Sequence, residues 1–274
     1  MNWRVRRKRI DTVRMSPARL LYGHRGAARE RPENTIVSFE RALEVGADVL
    51  ETDLHITADG HLVLSHDPTG RRMTGVRAAI RDTTLADVSR WDAGWGFIAP
   101  DGSRPFAGQG HRIPTLERAL VEFPAAAFNL DIKERRPQVV GPLLRLLRRL
   151  RADERVRLAS FDLRVLASAR ARGYGGETAL SQAEVKLLFA LPAPLFRLAP
   201  CTGSAAQLPE RAGSRVLAHR AVVDRCHRAG LRVDYWTIND PERAAELLAL
   251  GADGLITDDP RTLRPVFTRL QART

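Results

Sequence analysis

Two carboxylates lie two residues apart in a short apolar segment, at Glu51 and Asp53. The flanking Leu50 and Leu54 predict a buried strand, and alternate residues of a strand point to the same face. Two like charges that share a buried face cost several kcal/mol unless they are neutralised. A divalent cation is the simplest neutraliser, and carboxylates prefer Mg²⁺ or Ca²⁺, with Mn²⁺ as a further choice. The pair therefore predicts a site for one divalent cation.

A histidine follows these carboxylates beyond a predicted hairpin, whose turn is indicated by Asp59-Gly60. With a two-residue loop, His66 faces Asp53. With a four-residue loop, His66 faces Glu51. Directly opposed side chains in a hairpin have Cβ atoms about 5 Å apart, so either even-length loop places the imidazole among the carboxylates as a proton-transfer group. A three-residue loop would not.

A later predicted strand carries Asn129, Asp131 and Lys133 on one face. Asp131 offers a third carboxylate to the cation. Lys133 is unusual because the other basic residues, apart from Lys8 and Lys186, are arginines. A compact ammonium at this position indicates a small anionic target or a tight site, although chance is an open alternative.

Two further segments place reactive or aromatic side chains at predicted strand ends. His24 and Arg25 end a short apolar run, and a bend at Gly26 would turn both side chains toward the same rim. Arginine binds phosphate through two hydrogen bonds, and a second histidine would complete an acid and base pair. Trp236 lies near a late strand end and offers either an apolar wall for a substrate or a core tryptophan.

Strands alternate with helices along the chain, which favours parallel strands joined by helical crossovers. About eight such units with one added hairpin predict an α/β fold, a (β/α)₈ TIM barrel. Residues 1–18 are predicted to be a basic arm, and residues 19–274 a single domain with a small insertion after the second strand, at about 67–113. The parallel strands are expected near residues 20–26, 49–57, 128–133, 157–161, 178–181, 205–208, 232–238 and 254–257.

The 274 residues contain 44 lysines and arginines and have a net charge of +12. Since the basic residues are spread along the chain, we expect no nucleic-acid partner, only weak contact with an anionic membrane, and attraction of anionic substrates. No secretory signal or transmembrane segment is predicted, so we expect a cytoplasmic protein. Cys201 and Cys226 are expected to be reduced, structural thiols. The oligomeric state is not predicted.

The ordered set of motifs resembles the glycerophosphodiester phosphodiesterase family over about residues 20–265. Each motif is modest by itself, but the order of the set is highly specific. The motifs are His24-Arg25-Gly26, Pro32-Glu33-Asn34-Thr35, Glu51-Thr52-Asp53, Asp59-Gly60, His66-Asp67, Asn129 to Lys133, Ser160-Phe161, Trp236 to Asn239 and Asp253 to Pro260.

The resemblance implies a TIM barrel that hydrolyses a small glycerophosphodiester to sn-glycerol 3-phosphate and an alcohol. By position, it implies that His24 and His66 are the acid and base pair and that Glu51 and Asp53 are metal ligands. It also implies that Arg25 and Lys133 bind the phosphate. Trp236 would be the aromatic residue near the glycerol. At the third-strand ligand position the family commonly has Glu, whereas this chain has Asp131. The shorter side chain would ligate through water or shift the metal by about 1 Å.

Two alternatives remain at this stage. A phospholipase-like barrel would act on intact lipid and would need a lipid-engaging surface, for which residues 186–200 and the basic arm are candidates. A non-catalytic phosphate- or lipid-binding barrel would need neither His24 nor His66. For the hydrolase, the nucleophile is either water or the glycerol 2-hydroxyl, which would give a cyclic phosphate intermediate.

Overall fold

A computed structural model describes residues 19–192, 195–196 and 203–271. The predicted basic arm, Cys201 and part of the 186–200 segment lie outside the described residues. In chain order the strands are β1 Leu20–His24, β2 Val49–Ile56, β3 Leu62–Leu64, β4 Ala127–Ile132, β5 Val156–Ala159, β6 Ala205–Pro209, β7 Arg211–Ala212, β8 Arg215–Val216, β9 Arg232–Trp236 and β10 Gly254–Thr257.

Helices follow most of the parallel strands and cover the outside of the sheet. Thr35 caps the first of them by accepting a hydrogen bond from the backbone N–H of Ser38, and Ser181 forms a capping box with Glu184 at another. In chain order the helices are α1 Ile36–Glu44, α2 Arg71–Thr74, α3 Leu85–Val88, α4 Leu116–Glu122, α5 Val140–Leu150, α6 Leu163–Ala171, α7 Gln182–Ala190, α8 Arg220–Arg228, α9 Pro241–Ala249 and α10 Pro260–Gln271.

The main sheet runs in the order β5-β4-β2-β1-β10-β9-β6, with every neighbouring pair parallel. Its two edge strands are linked through a short segment, because isolated parallel bridges join Leu158 to Thr178 and Ala179 to Ala205. The segment thus takes the place of an eighth strand, and the predicted (β/α)₈ barrel is confirmed. The strand predicted at 178–181 is reduced to these bridges.

The barrel interior has an apolar part and a polar part. Leu20, Tyr22, Val49, Ala127 and Ile256 form a buried cluster inside the barrel. Next to this cluster lies a buried polar network centred on Arg157 of β5, whose partners come from distant strands. The site residues lie beyond both groups, at the carboxyl ends of the strands, where side chains from several strands converge.

The predicted insertion at residues 67–113, called the excursion from here on, carries α2 and α3 and has a small apolar cluster of its own. Ile80, Val88, Trp91 and Ile113 pack around Val63 of β3. The excursion is therefore attached to the barrel through the hairpin that follows β2. The division of the chain into an arm and one domain with an insertion stays a prediction.

The expectations for the cysteines and for transmembrane segments can be compared with the described residues. Cys226 is a free thiol buried in α8. None of the helices in the described ranges combines the length and the apolar character needed to cross a membrane.

Candidate active site

The carboxylates of β2 face the inside of the barrel, as the two-residue spacing predicts. Glu51 is 5% exposed and Asp53 is 1% exposed. The register pairs His24 of β1 with Glu51, and Asp131 of β4 with Asp53. Three adjacent strands therefore bring an imidazole and three carboxylates into one row at the carboxyl end of the barrel.

Two cations neutralise Asp53. The Nζ atom of Lys133 lies 2.9 Å from Oδ1 of Asp53 and 2.6 Å from Oδ2 of Asp131, while Nε of Arg25 lies 3.1 Å from Oδ2 of Asp53. Burial by itself would raise the pKa of Asp53, but the charges of Lys133 and Arg25 lower it to about 2. The two predicted phosphate-binding residues thus meet at one carboxylate.

Glu51 has weaker partners. Its Oε2 atom accepts a hydrogen bond of 3.1 Å from the backbone N–H of Arg25, and Nε2 of His24 lies 3.9 Å away. Burial and the neighbouring charge of Asp53 raise the pKa of Glu51 to about 7. Burial also raises the pKa of Asp131. The site therefore carries negative charge that its own cations do not fully compensate.

The carboxylate oxygens of β2 and β4 fit the chemistry of a hard divalent cation, because oxygen donors with excess negative charge suit Mg²⁺ or Ca²⁺. Within the described ranges, however, no three His, Cys, Asp or Glu side chains are arranged as a group that could hold a metal ion. Lys133 lies between Asp53 and Asp131 and joins them as an ion pair. Metal ligation by Glu51, Asp53 and Asp131 stays a prediction.

The turn after β1 directs both His24 and Arg25 to the rim, as the bend at Gly26 predicts. Arg25 has φ 54° and Gly26 has φ 88°, both in the left-handed region. A Cβ atom on Gly26 would lie 2.7 Å from the backbone oxygen of Ser38 in α1. Glycine is therefore required both by the backbone conformation and by the close approach of the helix.

His24 is oriented by a carboxylate that the sequence analysis did not select. The Nδ1 atom of His24 lies 2.6 Å from Oδ1 of Asp258, and Asn239 holds Asp258 through its side-chain amide at 2.8 Å. Burial opposes a charge on His24, but the hydrogen bond to Asp258 and the charge of Glu51 raise its pKa. The signal for this partner was a similarity within the sequence, since residues 46–53 and 251–258 both begin Gly-Ala-Asp and end in Asp. Asp258 occupies the position in the second segment that Asp53 occupies in the first.

The predicted hairpin geometry is wrong, since Ile56 pairs with Leu62 and the loop between them has five residues, 57–61. In this odd-length register a continued strand would place His66 on the face opposite the carboxylates. The last strand residue is instead Leu64, after which the backbone N–H of Ser65 donates to the carbonyl of Asp53. The chain then turns, and His66 reaches the rim from beyond the strand.

His66 lies close enough to the carboxylates to act on them electrostatically. Burial raises the pKa of Asp131, and the charge of His66 is among those that oppose this rise. The Nδ1 atom of His66 lies 2.9 Å from Oδ1 of Asp67, so this imidazole also has a carboxylate partner. The structure therefore brings His66 to the predicted site by a route that strand pairing did not predict.

A chain of ion pairs joins His66 to Arg25 through the excursion. Arg72 of α2 donates to Asp67 at 2.6 Å and to both carboxylate oxygens of Glu33 at 2.7 Å. Glu33 in turn accepts a hydrogen bond of 3.1 Å from Arg25. Nothing in the sequence singled out Arg72, because it is one of many arginines and its partner Glu33 is distant along the chain.

Two buried polar side chains support the same row, and the sequence analysis assigned neither of them to it. Asn34 has φ 56° and donates to Oδ2 of Asp53 at 2.9 Å. His55 lies next to Glu134 at 3.0 Å, and its Nε2 atom lies 3.2 Å from the backbone oxygen of His66. Asn34 therefore fixes a carboxylate, and His55 fixes the backbone that carries an imidazole.

Trp236 lies at the carboxyl end of β9, half-buried against the apolar cluster inside the barrel. Its ring meets Phe161 edge to face, with centroids 6.2 Å apart. Phe161 is itself exposed. The two rings form an apolar wall at the rim. This arrangement is the one expected if Trp236 contacts a substrate.

Comparisons with known proteins agree with this geometry. The model of the glycerophosphoryl diester phosphodiesterase family matches residues 24–262. A glycerophosphodiester phosphodiesterase of Caldanaerobacter subterraneus is 32% identical over 255 residues, which cover 89% of this chain and 96% of that protein.

Solved structures share the fold. A putative glycerophosphoryl diester phosphodiesterase from Silicibacter pomeroyi has a TM-score of 0.76 at 23% identity and covers 93% of this chain and 94% of that one. An Oleispira antarctica phosphodiesterase in complex with the product sn-glycerol-3-phosphate has a TM-score of 0.72 at 23% identity, covering 91% and 96%. The chain therefore belongs to the glycerophosphoryl diester phosphodiesterase family and is an enzyme of that class.

Proposed function

We propose that the protein hydrolyses a small glycerophosphodiester to sn-glycerol 3-phosphate and an alcohol, with His24 and His66 as the acid and base pair. The observation that carries the proposal is that two imidazoles, each with a carboxylate on Nδ1, flank a buried group of carboxylates and cations at the carboxyl end of the barrel. The related Oleispira antarctica structure contains the same product.

The two histidines are suited to proton transfer because one nitrogen of each ring is already engaged. Asp258 holds Nδ1 of His24, and Asp67 holds Nδ1 of His66, so Nε2 of each ring is directed elsewhere. One imidazole takes a proton from the nucleophile, which is water or the glycerol 2-hydroxyl, and the other gives a proton to the departing alcohol. The carboxylates fix the orientation of the rings, and Asp258 also stabilises the charged form of His24.

Arg25 and Lys133 are the proposed phosphate-binding residues. Both already lie against Asp53, so their side chains are held in place before a substrate arrives. Fixed cations that face the phosphate stabilise the charge that develops on its oxygens in the transition state. Trp236 is proposed to contact the carbon skeleton of the glycerol.

We further propose that Glu51, Asp53 and Asp131 hold one divalent cation, Mg²⁺ or Ca²⁺, with Mn²⁺ as a further choice. The support is that these three carboxylates share two close cations among the described residues, Arg25 and Lys133, and that burial and the charge of Asp53 raise the pKa of Glu51. When bound, such a cation supplies Lewis-acid polarisation of the phosphate oxygens.

The test measures release of sn-glycerol 3-phosphate from several glycerophosphodiesters, with and without EDTA. We expect release to stop with EDTA and to return on adding a divalent cation. We expect His24→Ala and His66→Ala to lower turnover about 10²- to 10⁴-fold, which is the usual contribution of a general acid or base.

His61→Ala is the matched control, because His61 is an exposed histidine in the turn of the same hairpin. We expect it to keep wild-type turnover. Absence of hydrolysis with every divalent cation would contradict the enzymatic proposal. Activity that chelation leaves unchanged would contradict the metal, and full turnover in His66→Ala would remove that residue from the mechanism.

A further inference from the structure

An open pocket of about 410 Å³ lies within the excursion, and Asp67, the partner of His66, is one of its lining residues. Asp67 and Arg72 form the wall that it shares with the active site, since Asp67 holds the His66 ring. Trp95, Ile98 and Arg104 form the other side. A group attached to a phosphate bound at the row of carboxylates can therefore extend into this pocket on the His66 side.

The aromatic surface of this pocket is already covered by a cation. The guanidinium carbon of Arg104 lies 4.1 Å from the centre of the Trp95 ring, and Nη1 of Arg104 donates to the backbone oxygen of Trp95. A tryptophan face is the preferred surface for a quaternary ammonium group. In this protein, Arg104 occupies that surface and repels a second cation.

The charge of the lining is also positive. Arg71, Arg72 and Arg104 line the pocket, and Asp67 is the acidic residue among its lining residues. Arg72 is shared between Asp67 and Glu33, whereas Arg71 points into exposed surroundings on α2. Because Arg71 and Arg104 add positive charge beyond that pairing, the pocket attracts anionic groups and disfavours cationic ones.

We infer that this pocket receives the alcohol part of the diester and selects alcohols that carry a negative charge over alcohols that carry a quaternary ammonium. The inference rests on the proposed function, because it assigns the substrate class of the same site. The glycerol side then lies toward Trp236 and Phe161, on another part of the rim. Ile98 allows the alcohol to carry carbon atoms next to its charged group.

The experiment compares kcat/KM for three diesters of sn-glycerol 3-phosphate that differ in the alcohol: choline, glycerol and glycerol phosphate. For the wild-type protein we expect the anionic alcohol to be preferred, then neutral glycerol, then choline. In Arg104→Gln, the Trp95 face becomes free and one positive charge is lost. We expect the ratio of kcat/KM for the choline diester to kcat/KM for the glycerol diester to rise about threefold to fivefold, as an exposed cation–π contact would give.

Adding Trp95→Leu to Arg104→Gln should lower this gain to the part that the lost positive charge causes, because the exposed ring is then absent. Arg90→Gln is the matched control, since Arg90 is an exposed arginine of the same excursion that pairs with Asp87. We expect it to keep the wild-type ratio. A ratio that is the same in Arg104→Gln and wild type, or a gain that Trp95→Leu leaves undiminished, would overturn the inference. If the wild-type protein hydrolyses none of the three diesters, the proposed function itself fails.

Discussion

Glu51 and Asp53 differ in their electrostatic surroundings although they lie on one face of one strand. Asp53 contacts Lys133 and Arg25, which hold its pKa at about 2. Glu51 has a backbone N–H and a distant imidazole, and burial raises its pKa to about 7. Carboxylates whose pKa values are separated by their surroundings are a common feature of active sites. Here the separation marks Glu51 as the side chain that most needs an additional positive charge.

The first prediction concerns the pH dependence of stability at Glu51. Because the folded-state pKa is raised from 4.5 to about 7, the stability associated with its protonated form is complete below pH 4.5 and is lost as the pH rises through 7. Glu51→Gln keeps a neutral side chain at every pH. In EDTA at pH 8.5 we expect this variant to have a free energy of unfolding about 3 kcal/mol above that of the wild type.

Urea unfolding at pH 5 and pH 8.5 measures this difference, which should be small at the lower pH. Glu40→Gln serves as the control, because Glu40 is an exposed glutamate on α1. We expect Glu40→Gln to follow the wild-type pH dependence. If Glu51→Gln also follows the wild type at both pH values, Glu51 is not the uncompensated carboxylate of the site.

At the scale of elements, the sequence predicted which strands carry the site but not how the hairpin closes. Alternation along β2 placed Glu51 and Asp53 on one face without knowledge of the fold. Asp59-Gly60 located the turn, but such a signal does not determine the number of loop residues. The backbone N–H of Thr57 donates to the carbonyl of His61, which continues the odd register of the strands into the loop and excludes both even-length loops.

The partners of the site residues escaped prediction because they come from other elements. Asp258 follows β10, Asn34 precedes α1 and Arg72 belongs to α2, yet each contacts a side chain far away in sequence. Local periodicity reports only the face on which a residue lies. It does not report which residue of another element lies opposite, so these contacts become visible only with the fold.

The second prediction tests whether α2 positions the active site. Arg72 links Asp67, the partner of His66, to Glu33, the partner of Arg25. Arg72→Gln should loosen both side chains and lower kcat about 10- to 100-fold, the usual cost of losing a residue that orients an active-site group. Arg72 is partly exposed, so we expect the free energy of unfolding to change by only about 1 kcal/mol or less.

Steady-state kinetics and thermal unfolding, performed on the same preparations, separate these two effects. Arg81→Gln is the control within the excursion, because Arg81 is exposed and pairs with the adjacent Asp82. It should keep the wild-type kcat. A normal kcat in Arg72→Gln would show that the excursion does not position the imidazole, whereas unfolding in parallel with the loss of kcat would assign Arg72 a structural role.

At the scale of the whole molecule, the number of βα units was predictable and the closure of the barrel was not. The segment at residues 178–179 makes only two bridges, so regular strand pairing contributes little at the position where the sheet closes. Arg157 lies inside the barrel at this position and is fully buried. In a chain rich in arginine, no sequence pattern distinguishes this buried arginine from the exposed ones.

Arg157 joins side chains from several parts of the barrel wall. It donates to Tyr22 of β1 at 2.8 Å, to Asp234 of β9 at 3.3 Å and to Glu177, next to the bridged segment, at 2.5 Å. Its charge thereby replaces part of the strand pairing that the eighth position lacks. A buried cation of this kind is favourable only while its acidic partners are present. The buried carboxylates likewise are favourable only while the cation is present.

The third prediction follows from this dependence. Arg157→Met fills a similar volume but leaves Asp234 buried without its nearest cation, so we expect the free energy of unfolding to fall by about 3 to 5 kcal/mol. Urea denaturation measures this change. Arg118→Gln, on the exposed face of α4, should change it by no more than about 0.5 kcal/mol. If Arg157→Met is as stable as Arg118→Gln, the barrel closes by packing alone and the interior network contributes nothing to holding β5 and β6 together.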